Sequence, residues 1–172
     1  MAPIPAVAAI AVVAGNLQQI AGALEKIYKT LDGARTVGIV VENFTDQPLT
    51  RVLDQHESGG WGVTPRSQIG PGEALIFGSK DRGFMTGTIG WIRWRIGQPG
   101  QVPPAPGQEF MYMRWANPFI GPNAAESRCW KIRQLSGPFL QFTEPSTKYY
   151  SVGTAGSGEV DAEMRFEVRP KQ

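Results

Sequence analysis

The sequence predicts a mainly β protein: a compact antiparallel β-sandwich with an N-terminal amphipathic α-helix packed on one side. Glycine and proline are frequent, with 21 and 14 of 172 residues. Apolar and polar residues alternate over many short segments, as strands with one buried face require. Only the N-terminal stretch shows a helical period. This length suits a single domain covering residues 1–172.

The pattern of residues 1–31 predicts the helix, because the apolar residues are three or four positions apart and no charged side chain appears before Glu25. The uncharged part, residues 6–24, would be about 28 Å long as a helix, close to the roughly 30 Å hydrocarbon core of a bilayer. The segment could pack on a soluble core or enter a membrane. The side chains expected to insert are Val7, Ile10, Val13, Leu17, Ile20 and Leu24.

The segment is expected to end at a hinge and to remain part of the protein. Asp32 and Gly33 predict a helix stop followed by a hinge, which would make residues 1–31 detachable. A cleaved signal peptide fits poorly, because no basic residue precedes the apolar stretch and the helical pattern continues through Glu25 and Lys29. We therefore expect the segment to belong to the mature protein.

Residues 35–170 predict the sandwich, with eight or nine short strands. Alternation is clearest near the C-terminus, where Val160, Ala162 and Met164 begin an apolar face opposite charged residues. Trp61 falls in a predicted loop. The predicted strands are residues 36–42, 49–55, 73–77, 86–96, 109–116, 127–135, 139–143 and 160–169.

The segment 86–96 has two dissimilar faces. Ile92, Trp94 and Ile96 share one face, and the other combines aliphatic, aromatic and basic side chains, namely Ile89, Trp91, Arg93 and Arg95. We favour an interpretation in which Ile89 and Trp91 complete a second packed layer while the arginines reach water at its end. A basic, aromatic membrane-contact face is the alternative. The apolar loop 118–122 is likewise either a membrane contact or a corner of the core.

Composition limits the classes of function. A net charge of +2 gives no nucleic-acid footprint. Cys129 and His56 are the only residues of their types, which excludes an intrachain disulfide and a multi-His or Cys zinc site. A Ser-His-Asp arrangement would need His56 with Ser58 or Ser67, and the surrounding residues match no nucleophile elbow. We expect no enzyme, no metal and no cofactor.

Several motifs, in this order and spacing, resemble the actinoporins, a family of pore-forming cytolysins. The resemblance covers most of residues 1–133. It is carried by the N-terminal helical pattern and by residues 35–43 (RTVGIVVEN), 56–59 (HESG), 70–75 (GPGEAL), 78–83 (GSKDRG), 86–90 (TGTIG) and 115–119 (WANPF).

The resemblance implies a secreted toxin, soluble as a monomer, that binds membranes containing sphingomyelin and oligomerises there. Its N-terminal helix would then enter the bilayer and line a pore. Ser58, Ile89 and Pro118 match family positions lining the phosphocholine pocket, with Ala116 where a serine usually stands and Phe119 beside them. Tyr149 and Tyr150 could replace the aromatic cluster that residues 120–127 do not supply.

A second interpretation belongs to a different class. A lectin-like sandwich that binds carbohydrate or lipid without forming a pore would share this architecture, and its N-terminal helix would be structural only. Glycan binding without vesicle leakage would distinguish it from a cytolysin. A hydrolase is the third interpretation and the weakest, because the sequence offers no convincing general base.

Overall fold

The computed structural model describes residues 7–100, 105–136 and 140–172, and for residues 134–136 and 140–142 it describes only the backbone. Within these ranges the chain forms twelve strands and one helix. In chain order they are β1 (Ile10–Val13), α1 (Leu17–Tyr28), β2 (Thr36–Asn43), β3 (Leu49–Ser58), β4 (Gly60–Val63), β5 (Gln68–Ile69), β6 (Glu73–Lys80), β7 (Thr88–Ile96), β8 (Glu109–Asn117), β9 (Ala124–Ser136), β10 (Leu140–Pro145), β11 (Tyr149–Ala155) and β12 (Asp161–Pro170).

The strands form two packed sheets, which confirms the predicted mainly β sandwich with one helix. Sheet A has the order β1-β6-β2-β12-β11, with β4 also paired to β6, and sheet B has the order β10-β9-β8-β7-β3-β5. All pairs are antiparallel except β2 and β12, which run parallel with Thr36 opposite Asp161. The sheet faces that meet carry the core, including Ile39, Phe77 and Trp94.

The helix α1 covers the outer face of sheet A. Its buried residues are Ile20, Ala23, Leu24 and Ile27, at the spacing of one helical face. The Asn16 side chain caps the N-terminus by accepting a hydrogen bond from the Gln19 backbone N–H at 3.0 Å. The helix therefore adds a third layer to this side of the sandwich.

Two glycines allow this close contact. Gly38 of β2 and Gly78 of β6 are register partners beneath the helix, and we call them the glycine seat. A Cβ at Gly38 would lie 2.7 Å from the Tyr28 hydroxyl oxygen, and one at Gly78 would lie 2.9 Å from the Leu31 side chain. Larger residues would hold the helix away from the sheet. Covered on both faces, β2 is buried at every position.

The helix is shorter than predicted. Residues 10–13 form β1, which pairs with β6 from Ile10 opposite Ile76 to Val13 opposite Glu73. The predicted helix over residues 1–31 is therefore wrong for this part, and its first six residues lie outside the described ranges. Ile10, Val12 and Val13 are β-branched, and the free edge of β6 offers them hydrogen bonds that a helical period cannot reveal.

A turn at Gly15, with φ of +77°, separates β1 from the capped helix. At twelve residues α1 is about 18 Å long. Among the described residues, none of the helices has the length and apolar character needed to span a bilayer.

The predicted strands correspond to β2, β3, β6, β7, β8, β9, β10 and β12, with residue 139 outside the described ranges. Four strands were not predicted: β1, β4, β5 and β11. Trp61 lies in β4, where it pairs with Ser79, and not in a loop. In β12, Ala162, Met164 and Phe166 are buried as the alternation predicts.

The packing of α1 can be tested by truncating its buried face. Ile27 is fully buried against the sheet, so Ile27→Ala should lower the free energy of unfolding by about 2–5 kcal/mol. Leu17→Ala is the matched control, because Leu17 is 64% exposed and its truncation should change stability by less than about 0.5 kcal/mol. Urea unfolding measures both. Equal effects would contradict a docked helix.

Candidate functional site

Three loops meet at one end of the sandwich. They are residues 81–87 between β6 and β7, residues 118–123 between β8 and β9, and residues 156–160 between β11 and β12. We call them together the loop end. The end of β3 at Ser58 and the start of β2, preceded by Arg35, lie beside them.

Side-chain hydrogen bonds fasten these loops to one another and to the sheets. The Ser58 hydroxyl donates to the Gly87 carbonyl at 2.9 Å. Arg35 donates from one guanidinium nitrogen to the Phe119 carbonyl at 3.1 Å and from the other to the Glu159 carbonyl. The Asn123 amide donates to the carbonyls of residues 156 and 158 at 2.9 and 2.7 Å. The loop end is therefore a connected surface.

This surface carries exposed apolar side chains on all three loops. Phe84 is 94% exposed and Ile120 is 83% exposed, the two highest values for large hydrophobic residues in the described chain. Met85 and Val160 are each 55% exposed. Met85 also has a φ of +57°, a left-handed conformation that is uncommon for a non-glycine residue. Exposed apolar side chains grouped in this way are typical of surfaces that contact a protein or a membrane.

The structure brings together most of the predicted headgroup residues. Ser58 is opposite Ile89 in the β3–β7 pair, and Ile89 is opposite Ala116 in the β7–β8 pair, so the three form a row across sheet B. Pro118 and Phe119 follow directly at the end of β8. The row therefore opens onto the loop end.

The aromatic ring of Phe119 already has a cationic neighbour within the protein. The Arg35 guanidinium carbon lies 5.4 Å from the centroid of the Phe119 ring, as a cation–π contact. A positively charged headgroup would have to compete with Arg35 for this ring.

Tyr149 and Tyr150 lie at the opposite end of the sandwich. Tyr149 borders a cavity with Ile96 and Glu109, the residues that end β7 and begin β8. Ala116 is seven residues further along β8, about 23 Å away at the rise of a strand. These tyrosines therefore cannot supply the aromatic faces missing near Ala116, and the expectation that they join the headgroup residues is corrected.

The residues expected to insert into membranes occupy different environments. Ile20 and Leu24 are on the face of α1 that is buried against sheet A. Leu17 and Val13 are exposed, and Ile10 pairs with β6 as part of β1. Val7 is exposed as well.

At the predicted hinge, the chain is held to the end of β6. The Lys80 ammonium donates to the Asp32 carbonyl at 3.0 Å, and Asp81 accepts from the backbone N–H of Arg35 at 3.4 Å. Gly33 lies against Asp81, where a Cβ would not fit. A hinge here would have to release these contacts.

His56 has a partner that sequence reasoning missed. Its Nε2 is hydrogen-bonded to the Ser79 hydroxyl at 2.9 Å, whereas Ser58 bonds the Gly87 carbonyl. The ring also contacts Trp61 and Trp115 edge-to-face, with centroids 4.5 and 5.4 Å away. Burial lowers the pKa of His56, because the protonated ring loses solvation.

The second face of β7 is not closed by a further layer. Ile92 and Trp94 point into the core, while Trp91 and Arg93 remain half-exposed on the outer face of sheet B. The favoured interpretation is therefore wrong for Ile89 and Trp91, because both are half-exposed and none of the described elements covers this side. Of the two arginines expected to reach water, Arg93 is half-exposed, whereas Arg95 is buried. Trp91 and Arg93 border an open groove with Cys129, whose pKa is raised to about 11 by burial.

No family model matches the chain, and no curated protein matches it. Among solved structures, the crystal structure of the lipid binding protein Nakanori is similar, with 18% sequence identity and a TM-score of 0.65. The match covers 88% of this chain and 79% of that one. The two proteins share a fold.

The partial burial of His56 predicts a pH dependence of stability. Because the pKa of His56 is lower in the folded state, the unfolded chain binds more protons as the pH falls below about 6.5. The free energy of unfolding should therefore decrease on acidification through this range. His56→Gln, which keeps a donor toward Ser79, should reduce the decrease between pH 7.5 and 5.5. Parallel pH profiles for the two proteins in denaturant unfolding would contradict this assignment.

Proposed function

We propose that the protein binds lipid membranes through the loop end. The observation that carries this proposal is the exposure of Phe84 and Ile120 on adjoining loops, next to the row formed by Ser58, Ile89 and Ala116. The similarity in fold to a lipid binding protein supports it.

The apolar tips supply the main attraction. Moving a large hydrophobic side chain out of water contributes about 1.5–3 kcal/mol, so Phe84 and Ile120 together would add several kcal/mol. Because the Ser58, Arg35 and Asn123 hydrogen bonds fasten the loops to one another and to the strand ends, little ordering is needed on binding.

Basic side chains beside the tips suit the phosphate layer. Arg35 and Arg82 both lie at the loop end, and Arg82 is exposed. A basic side chain near an anionic membrane surface contributes about 1 kcal/mol. The guanidinium of Arg35 also bridges two loops, which places its charge at the loop end, where lipid phosphates would lie.

For the headgroup, we propose a phosphocholine lipid of the sphingomyelin type at the Ser58–Ile89–Ala116 row, next to Pro118. Aromatic faces hold quaternary ammonium groups, each with about 0.5–2 kcal/mol. The row itself has no aromatic residue; the neighbouring Phe119 could do so, and Arg35 already lies over its ring. Choline selectivity would therefore require Arg35 to move toward the phosphate and free the ring.

Pore formation is the further step of the proposal: a secreted, non-enzymatic cytolysin whose copies assemble on the target membrane. As folded, α1 is too short to span. If residues 7–28 became one helix, its length would be about 33 Å, sufficient for the hydrocarbon core. Insertion would therefore require β1 to leave β6 and become helical. Withdrawing Ile20, Leu24 and Ile27 from the core costs roughly 5–9 kcal/mol, which burial in lipid would have to offset.

Membrane contact is tested with the double variant Phe84→Ser and Ile120→Ser. We expect its affinity for sphingomyelin–cholesterol vesicles to fall at least about tenfold, because two apolar tips are lost. The matched control is Val52→Ser with Val152→Ser, which replaces two exposed apolar residues of β3 and β11. Vesicle co-sedimentation measures both variants. Equal affinities for the two variants would contradict contact through the loop end.

Detachment of β1 is tested with a disulfide. Val12 and Ala74 are register partners in neighbouring strands, within the Cα separation that a disulfide needs. We expect Val12→Cys with Ala74→Cys, in a Cys129→Ser background, to bind vesicles when oxidised but release no dye. Reduction should restore release. Equal dye release before and after reduction would contradict the required detachment.

A further inference from the structure

The outer face of sheet B carries an open groove of about 580 Å³, a size typical of small-molecule sites. It lies on β7 to β10, away from the loop end. Aromatic and charged side chains line it: Trp91, Arg93, Tyr112, Arg128, Trp130 and Glu144.

Strand register places two arginines on either side of a tyrosine. Arg93 of β7 is opposite Tyr112 of β8, and Tyr112 is opposite Arg128 of β9. The Arg128 guanidinium lies 5.1 Å from the Tyr112 ring centroid, and that of Arg93 lies 6.0 Å from the Trp130 centroid. The three side chains therefore form a row across the groove, with a guanidinium at each end.

The groove has an excess of positive charge. Among the residues that the structure describes, no carboxylate lies within 4 Å of the Arg93 or Arg128 guanidinium nitrogens. The carboxylate of Glu144 at the rim is paired with Lys131 at 3.1 Å.

A neighbouring arginine on the same face, by contrast, is paired with carboxylates. Arg114, one step nearer the loop end on the same face, donates two hydrogen bonds to Glu57 at 3.0 and 3.1 Å and lies 4.0 Å from Glu126. Its charge is therefore balanced within the protein. This ion-paired row separates the groove from the Ser58–Ile89–Ala116 row.

Aromatic surface lies beside the free charges. Trp91 and Tyr112 have ring centroids 5.9 Å apart, and Trp130 stacks on Phe110 at 4.5 Å. Trp91, Tyr112 and Trp130 are only half-buried, so part of each remains accessible. Such rings present an apolar surface together with a polar group, which suits a ligand with both characters.

We propose that this groove binds a sugar residue that carries a carboxylate or sulfate group. The planar guanidinium of Arg93 or Arg128 binds such an anion through two parallel hydrogen bonds, and the carbon-bound hydrogens of the sugar ring pack on Trp91 or Trp130. The proposal does not depend on membrane binding, since the groove lies away from the loop end, on the far side of the ion-paired Arg114 row.

The test uses the full chain and four probes: 3′-sialyllactose and a sulfated chondroitin disaccharide as acidic sugars, with lactose and sodium sulfate as controls. Quenching of tryptophan fluorescence and titration calorimetry measure binding. We expect at least one acidic sugar to bind at least tenfold more tightly than either control. Failure of both acidic sugars to bind, or equal binding by lactose or by sulfate alone, would overturn the proposal.

Variants locate the site. Arg128→Gln should weaken acidic-sugar binding at least tenfold, and because Arg128 is exposed, the fold should be unaffected by this change. Arg66→Gln removes one exposed arginine from the β4–β5 loop and should leave binding unchanged. Loss of sugar binding in the Phe84→Ser and Ile120→Ser variant, or full binding by Arg128→Gln, would place the site elsewhere.

Discussion

The close approach of α1 to sheet A at Gly38 and Gly78 determines how the two sides of the molecule differ. The glycine seat lets Leu24 and Ile27 reach the sheet, so β2 is covered by the helix on one face and by the core on the other. No described element covers sheet B in the same way, and its outer face keeps half-exposed aromatic and basic side chains. One side is therefore a closed three-layer structure, whereas the other remains available to ligands. The seat also sets the energetic condition on any detachment of the N-terminal segment.

Local periodicity was sufficient to predict the strands whose two faces differ in polarity. In β12, Ala162 and Met164 alternate with charged residues, and the predicted strand is present. The segment Ile10–Val13 shows why the same reasoning overextended the helix. Its spacing fits a helical face, but its β-branched residues pair with an edge of β6 that lies some sixty residues further along the chain. The strands β4, β5 and β11 are short or rich in glycine and serine, so their pairing depends on tertiary context.

The candidate sites were predictable to different degrees. The resemblance to the actinoporins implies that Ser58, Ile89 and Ala116 lie together, and strand register brings them into one row. The exposure of Phe84 was not predictable, because it follows a charged turn and depends on which loops meet at that end. The hydrogen bond between His56 and Ser79 links β3 of sheet B to β6 of sheet A, so it depends on how the two sheets pack. Alternation in β7 defines its two faces but does not show which face another layer covers, so the groove became apparent only from the packed sheets.

In the proposed binding mode, the loop end enters the membrane while the opposite end of the sandwich stays in water. A polarity-sensitive fluorophore tests it directly when attached at Ile120→Cys or, in a second protein, at Tyr150→Cys, both in a Cys129→Ser background. Emission is compared before and after addition of sphingomyelin–cholesterol vesicles under conditions of bound protein. We expect a blue shift at position 120 and none at position 150. A shift at position 150 alone, or equal shifts at both positions, would contradict it.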